Sequence, residues 1–161
     1  MIITAHIAAG AAIGSISDIN PGIAFAAGVL SHYILDSVPH LEFGVFLPEE
    51  ERDILKYKID AKTIIAVGAD ILIAGILWLY LLFKFKSQNV GIFWGGLGAI
   101  LPDIIDNSPF WSAYTRKLPI LRTFYWIHHT VHAKLESKKW YFGLISYIIL
   151  AGGLAWYWLK F

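Results

Sequence analysis

Two unbroken apolar stretches constrain this chain more than anything else in it. Ala61–Phe83 carries one charge away from its ends, Asp70, and Trp140–Leu159 carries none. At 1.5 Å per helical residue, each is long enough to cover the roughly 30 Å hydrocarbon core of a bilayer. Composition agrees: 57% of the 161 residues are hydrophobic and 16% charged, and the mean hydropathy of +0.59 is too high for an ordinary soluble domain. Three shorter apolar stretches, Ile2–Ile16, Gly22–Asp36 and Val90–Asp106, are rich in Gly and Ala. Small residues let membrane helices approach closely, which suits a packed interior. The pattern predicts an all-α, multi-pass membrane helical bundle, a single domain over residues 1–161 with five membrane segments. A sixth helix, Pro119–Ser137 in the 107–139 loop, is expected at the interface with Tyr125 and Trp126 as anchors.

Lys and Arg are distributed unevenly over the two sides of such a bundle. The two long connections and the adjoining helix end carry Arg52, Lys56, Lys58, Lys62, Arg116, Lys117, Arg122, Lys134, Lys138 and Lys139, against Lys84, Lys86 and Lys160 on the other side. The positive-inside rule then puts the long loops and the first residues in the cytoplasm of a cell (inner) membrane. The first stretch lacks a basic leader region and holds His6, so it reads as a retained helix rather than a cleaved signal. A net charge of +1 offers no basic field for nucleic acid. With no Cys, disulfides, thiolate metal sites and Cys nucleophiles are excluded.

Ionisable residues collect at the cytoplasmic end. His6 begins the first segment. His32 and Asp36 share a face near the end of the second, four residues apart, and His40 follows at the loop entrance. Asp70 lies inside the third. Asp103 and Asp106 end the fourth, and His128, His129 and His132 follow in the second long loop. A carboxylate inside a membrane costs about 2.5–3.5 kcal/mol even on a mild scale, and the segments themselves offer almost no Lys or Arg. A divalent metal satisfies the requirement. With His and Asp as donors, Zn is the leading choice, Mn and Fe fit as well, and there is room for two ions. The metal-ligand candidates are His6, His32, Asp36, Asp103, Asp106, His128 and His132. His40, His129 and Asp70 are candidates for proton transfer and catalysis. Which of His128, His129 and His132 ligate is left open. A weak internal repeat aligns Gly28–His40 with Gly98–Phe110 and places Asp36 and Asp106 at equivalent helix ends.

Leu101-Pro-Asp-Ile-Ile-Asp106 and Ile127-His-His-Thr-Val-His132 resemble the motifs of the YdjM-like inner-membrane metal-dependent hydrolases. Ser31–His40 is similar to the His-x-x-x-Asp helices of related small membrane hydrolases and zinc-dependent phospholipases C. The resemblance implies metal-linked roles for His6, Asp103, Asp106, His128 and His132. This chain departs from the family pattern in an extra residue between the two Asp and in His129 where Arg is usual.

These readings lead to a membrane-embedded hydrolase cleaving a phosphoester of a lipid or lipid-linked substrate at the cytoplasmic leaflet. Its partners are the bilayer and that phosphate substrate, with Arg116, Lys117 and Arg122 attracting an anionic head group. Homo-oligomer formation is left open. No Gly-x-Ser-x-Gly element is present, which disfavours a serine hydrolase. Two other classes use the same residues: a cation or proton transporter or channel, and a non-catalytic, metal-stabilised membrane scaffold.

Overall fold

A computed structural model describes residues 1–41, 60–133 and 135–160. The described residues are helical, with no strand among them: α1 (Ile3–Gly14), α2 (Pro21–Asp36), α3 (Ala61–Lys84), α4 (Asn89–Asp106), α5 (Ser112–Thr115), α6 (Pro119–Val131) and α7 (Trp140–Leu159), with a short 3-10 turn at Ser137–Lys139. Arg52, Lys56, Lys58 and Lys134, which contribute to the charge bias, lie outside the described residues. Two helices, α3 and α7, are long and apolar enough to cross a membrane.

Local chemistry explains the boundaries. Asn20 precedes α2 and accepts from Gly22 N at 2.9 Å, and Pro21 occupies the first helical position, where its missing N–H costs nothing. Asp60 caps α3 through Thr63 N at 2.8 Å. Helix α6 also starts on a proline, Pro119. It stops earlier than the expected Ser137. His132 takes an extended conformation, and the next backbone N–H, of Ala133, donates to the Asp36 carbonyl at 2.7 Å. Tertiary bonding to the end of α2 ends this helix.

The centre of the fold is α4 between α1 and α2. A Cβ on Gly95 would collide with the Gly10 carbonyl, and a Cβ on Gly10 or on Gly28 would collide with the Gly95 carbonyl. Both neighbours therefore meet α4 backbone to backbone, a distance only glycine permits. His6 lies beside Asp103, Gly10 beside Gly95 and Gly14 beside Gly91, so α1 runs antiparallel to α4. Gly28 lies beside Gly95, and His32 and Asp36 lie beside Ala99 and His128, so α2 runs parallel to α4.

The other two long helices attach from outside. In α3, only Asp70, Ala74 and Leu81 are buried; Trp78 donates to the Ile92 carbonyl of α4 at 3.2 Å. In α7, only Gly143 is buried. Tyr147 accepts from Ile2 N at 3.0 Å and donates to the Leu41 carbonyl at 2.8 Å. Near the other end, the hydroxyls of Tyr157 and Ser15 meet at 2.6 Å. These contacts fix directions: α1, α3 and α7 begin, and α2 and α4 end, on the side where His6, His32 and Asp36 lie. The outward faces of α3 and α7 are apolar, with Ile64, Ile65, Leu72, Ile76, Ile148 and Ile149 exposed.

Candidate metal centre

Asp36, the last residue of α2, is the hub. Its side chain is fully buried. His32, one turn earlier on the same face, puts Nε2 at 3.2 Å from Oδ2. His128, near the end of α6, puts Nε2 at 2.9 Å from the same oxygen. His6 Nε2 lies 3.3 Å and His40 Nε2 3.8 Å from Oδ1. The nitrogen of Met1 lies 2.7 Å from Oδ1 and 2.8 Å from His40 Nε2. Asp103 on α4 brings Oδ1 to 3.9 Å from the Nε2 of both His32 and His128.

The far side of each ring explains why the near side is available. His32 Nδ1 lies 2.7 Å from the Ala99 carbonyl, and His40 Nδ1 lies 2.8 Å from the Val38 carbonyl. A carbonyl only accepts, so both Nδ1 atoms carry hydrogen and both Nε2 atoms are directed inward, where a neutral ring presents a lone pair. The Ala99 carbonyl lies in the turn of α4 that holds Pro102, where a proline ring loosens helical bonding. His128 Nδ1 lies 3.3 Å from Asp106 Oδ2. Backbone carbonyls and carboxylates behind the rings are the usual supports of metal-binding histidines.

The spacing comes near that around a tetrahedral ion, with Asp103 about half an ångström too distant. Donors held at about 2.0–2.1 Å from a tetrahedral ion lie roughly 3.3–3.4 Å apart. Here His32 and His128 Nε2 are 3.4 Å apart, their separations from Asp36 Oδ2 are 3.2 and 2.9 Å, and those from Asp103 Oδ1 are 3.9 Å. His32, Asp36, Asp103 and His128 bring one donor each within 4.8 Å of all the others, and so do Asp36, His40 and His132. These buried His and Asp groups could hold a metal ion. His6 adds a further sign. Its ring is fully buried and stacked on His32 at 4.1 Å, and Nε2 has the Asp36 oxygen at 3.3 Å. Among the described residues Nδ1 has no hydrogen-bond partner, a costly condition for a buried polar group.

No family model, no curated protein and no solved structure matches this chain. The centre therefore stands on its own geometry.

Electrostatics separate the three loop-side histidines. Burial pushes His40 down to about 3, with the charge at Met1 and then His132 acting in the same direction. Burial and the Met1 charge push His132 down to about 4, against the pull of Asp36. Burial also opposes charge on His128, but Asp106 and Asp36 outweigh it and raise the ring to about 9. Without a metal, His128 is an imidazolium between two carboxylates, while His40 and His132 are neutral.

Three of the expected site residues are placed elsewhere. Asp70 caps α1 from the neighbouring helix: it accepts from Ile3 N at 2.7 Å, Thr4 N at 3.2 Å and the Thr4 hydroxyl at 2.6 Å. It satisfies N–H groups that a helix start leaves free. His129 is exposed and lies against Tyr125, with ring centroids 5.1 Å apart. Consecutive helical positions differ by about 100° in direction, so burial of His128 turns His129 outward. Asp106 is buried behind His128 rather than beside the other donors, and its Oδ1 takes Arg116 Nε at 3.0 Å. Arg116, expected to meet an anionic head group, is engaged by Asp106 and by the Tyr125 ring, 4.2 Å from its guanidinium carbon. Sequence reasoning missed the Arg116–Asp106 pair, the Met1 nitrogen and the Ala99 and Val38 carbonyls. The carbonyls have no side-chain signature, and the ion pair depends on α5 folding the chain back.

Proposed function

We propose that this protein is a membrane-embedded, metal-dependent hydrolase acting on a phosphoester of a lipid or lipid-linked substrate at the cytoplasmic leaflet. One observation carries the reading: His32 and His40 each have Nδ1 hydrogen-bonded to a backbone carbonyl, His128 has Nδ1 3.3 Å from the Asp106 carboxylate, and all three direct Nε2 at Asp36. Helix polarity supports five crossings, because α1, α2, α3, α4 and α7 alternate in direction and the exposed faces of α3 and α7 suit lipid. At 12 residues, α1 covers about 18 Å, short of the full core, and its buried face sets it among the other helices. The Lys and Arg bias supports a cytoplasmic centre. The likeness of Leu101–Asp106 and Ile127–His132 to the YdjM-like hydrolases points to the same class.

His32, His128, Asp36 and Asp103 would hold the ion, with Zn the leading choice and Mn or Fe the alternatives. When bound, a divalent ion supplies Lewis acidity toward a phosphoryl oxygen and a water acidic enough to ionise near neutral pH. Asp106 fixes the His128 ring from behind, and Arg116 holds Asp106 in place. His40, held neutral, serves as a lone-pair donor rather than a proton donor. The exposed Ile120, Trp126 and Ile127 of α6 suit shallow insertion beside the centre, with Lys117 and Arg122 near the head-group layer.

The transport alternative requires a polar path across the fold. Beyond His6 and His32 the described interior includes Gly10, Ala11, Gly14, Ala24, Leu81 and Ile92, with Ser15 its buried polar side chain, and among the described residues no Asp, Glu, Lys, Arg or His is buried there.

The test is elemental analysis of detergent-purified protein with hydrolysis of phosphatidic acid and an isoprenoid phosphate in mixed micelles. Expected is a bound divalent metal and phosphate release, both lost in Asp36→Ala. Metal without turnover on any phosphoester favours the scaffold; absence of metal after reconstitution with Zn, Mn and Fe overturns the proposal.

A further inference from the structure

Tyr33 follows His32 on α2, and its ring stands edge-on to both imidazoles of the ion position. The ring centroids are 5.5 Å apart at 83° for His32 and 6.2 Å apart at 77° for His128. The residue is partly exposed, yet its hydroxyl oxygen is buried and has no hydrogen-bond partner among the described residues. A buried hydroxyl without a partner is costly, and a phenol carries a proton to donate. The carboxylates of Asp106, Asp103 and Asp36 are near enough to act on it electrostatically, but they are turned to other groups. Asp36 Oδ2 meets His32 and His128. Asp106 meets Arg116 and His128, and Asp103 Oδ1 accepts from the Asn107 amide at 2.6 Å.

We propose that the Tyr33 hydroxyl donates a hydrogen bond to a non-bridging oxygen of a phosphoryl group bound at the ion. This rests on the reading of the Asp36 cluster as the centre of a phosphoester hydrolase, and it gives that centre a residue that holds substrate rather than metal.

The other tyrosines at the helix contacts make the contrast. Tyr147 and Tyr157 donate to the Leu41 and Ala12 carbonyls at 2.8 and 3.1 Å, so their hydroxyls serve the fold. The hydroxyl of Tyr33 serves no such contact, although α2 holds the residue within about one turn of both His32 and Asp36. Coverage of the centre is thinnest at Asp103, whose side chain is 14% exposed against 0–4% for His32, Asp36 and His128. Asp103 and the partly exposed Tyr33 are therefore the residues an incoming group can reach. The phenol keeps its proton throughout. It stabilises negative charge on the phosphoryl oxygen from a direction fixed before the ligand arrives. A lipid head group and free phosphate present the same oxygens, and the two are separated below by titrating each.

The experiment compares the natural full-length chain with Tyr33→Phe in detergent; Phe keeps the ring and removes only the hydroxyl. After chelation, the variant should unfold at the same temperature as the natural chain or slightly above it, because no bond is lost. A clear fall means that the hydroxyl already serves the fold, through water or a carboxylate, and overturns the proposal. With Mn²⁺ restored, metal affinity should be unchanged. Inorganic phosphate and short-chain phosphatidic acid are then titrated separately onto the Mn²⁺-loaded chains by calorimetry. Both should bind the variant roughly 10- to 100-fold more weakly, as for one lost hydrogen bond to a charged group, and the ligand bound more tightly by the natural chain identifies the source. Equal affinities in the two chains, or no phosphate binding by the natural chain, overturn the proposal. Hydrolysis of phosphatidic acid that is unchanged in Tyr33→Phe overturns the role of Tyr33 and keeps the hydrolase. Phosphate held through Tyr33 without hydrolysis of any phosphoester keeps Tyr33 and overturns the hydrolase.

Discussion

Helices α1, α2 and α4 touch one another through backbone, whereas α3 and α7 attach through side chains: Leu81 packs on Ala11 and Ile92 with Trp78, Phe85 and Trp158 around them, and a few polar contacts are added. The inner three have glycines where the chains cross and carry every helical donor of the centre except His128. The outer two bury four residues between them and fix their register through Asp70, Trp78, Tyr147 and Tyr157. The difference has a physical cause. In the bilayer setting proposed above, apolar faces would gain nothing by pairing with other apolar faces, so close van der Waals contact or hydrogen bonds would have to specify each interface. A site that needs donors held to within a few tenths of an ångström belongs on the part of the fold with the least freedom.

The largest effect should come from filling that inner contact. Gly95→Leu places a side chain against the Gly10 carbonyl and should cost more than about 3 kcal/mol, a misfolding change for a small domain. Gly152→Leu on α7, with nothing within 4 Å of its Cβ position, should leave thermal unfolding in detergent unchanged within about 0.5 kcal/mol. Equal losses from the two variants would erase the distinction between inner and outer helices.

Next comes the support behind the centre. Asp106→Asn keeps the shape but weakens the hold on His128, so metal affinity should fall roughly 10- to 100-fold while the fold persists. Isothermal titration of the chelated protein measures it; unchanged affinity would return Asp106 to a purely structural pairing with Arg116.

The chelated protein should also respond to pH in two opposed windows. His128 is raised to about 9, so its contribution is complete below the unfolded value near 6.5 and fades as pH rises towards 9. His40 and His132 are lowered to about 3 and about 4. Below about 6.5 the unfolded chain binds protons that the folded one refuses, so stability falls as the solution is acidified. Unfolding midpoints across pH 4 to 9 should therefore peak near 6.5. A stability that climbs steadily from 6.5 to 9 would contradict the charged state assigned to His128.

A smaller effect tests the outer helices. Asp70→Ala removes the cap on α1 and should cost about 1 kcal/mol, with little loss of metal. A complete loss of metal would move Asp70 into the chemistry. The smallest change expected is His129→Ala, an exposed position, within about 0.5 kcal/mol in stability and with no change in metal content.

Much of this arrangement is legible along the chain. The observed bounds of α2, α3, α4 and α7 fall within a residue of the apolar stretches, and Asn20, Pro21 and Asp60 mark the starts of α2 and α3. Spacing alone put His32 and Asp36 on one face. The sequence does not separate His128 from His129, since that choice depends on which side of α6 rests on the bundle. Nor does it pair Asp106 with Arg116 or Asp70 with Thr4, because each pair joins segments brought together only by folding.

Residue types and their order along the chain by themselves determined the helical class, the two stretches long enough to cross a bilayer, and the gathering of His and Asp at one end. Those are consequences of hydrophobic length and of helical periodicity, which are local properties. The roles within the cluster were decided by tertiary structure. Glycine-mediated contact between α1, α2 and α4 sets the positions of His6, Asp36 and Asp103. The turn of α5 and the early end of α6 carry Arg116, His128 and His132 back to them. Whether an aspartate caps a helix, supports an imidazole or faces a cation depends on neighbours a few ångströms away in space and many residues away in sequence.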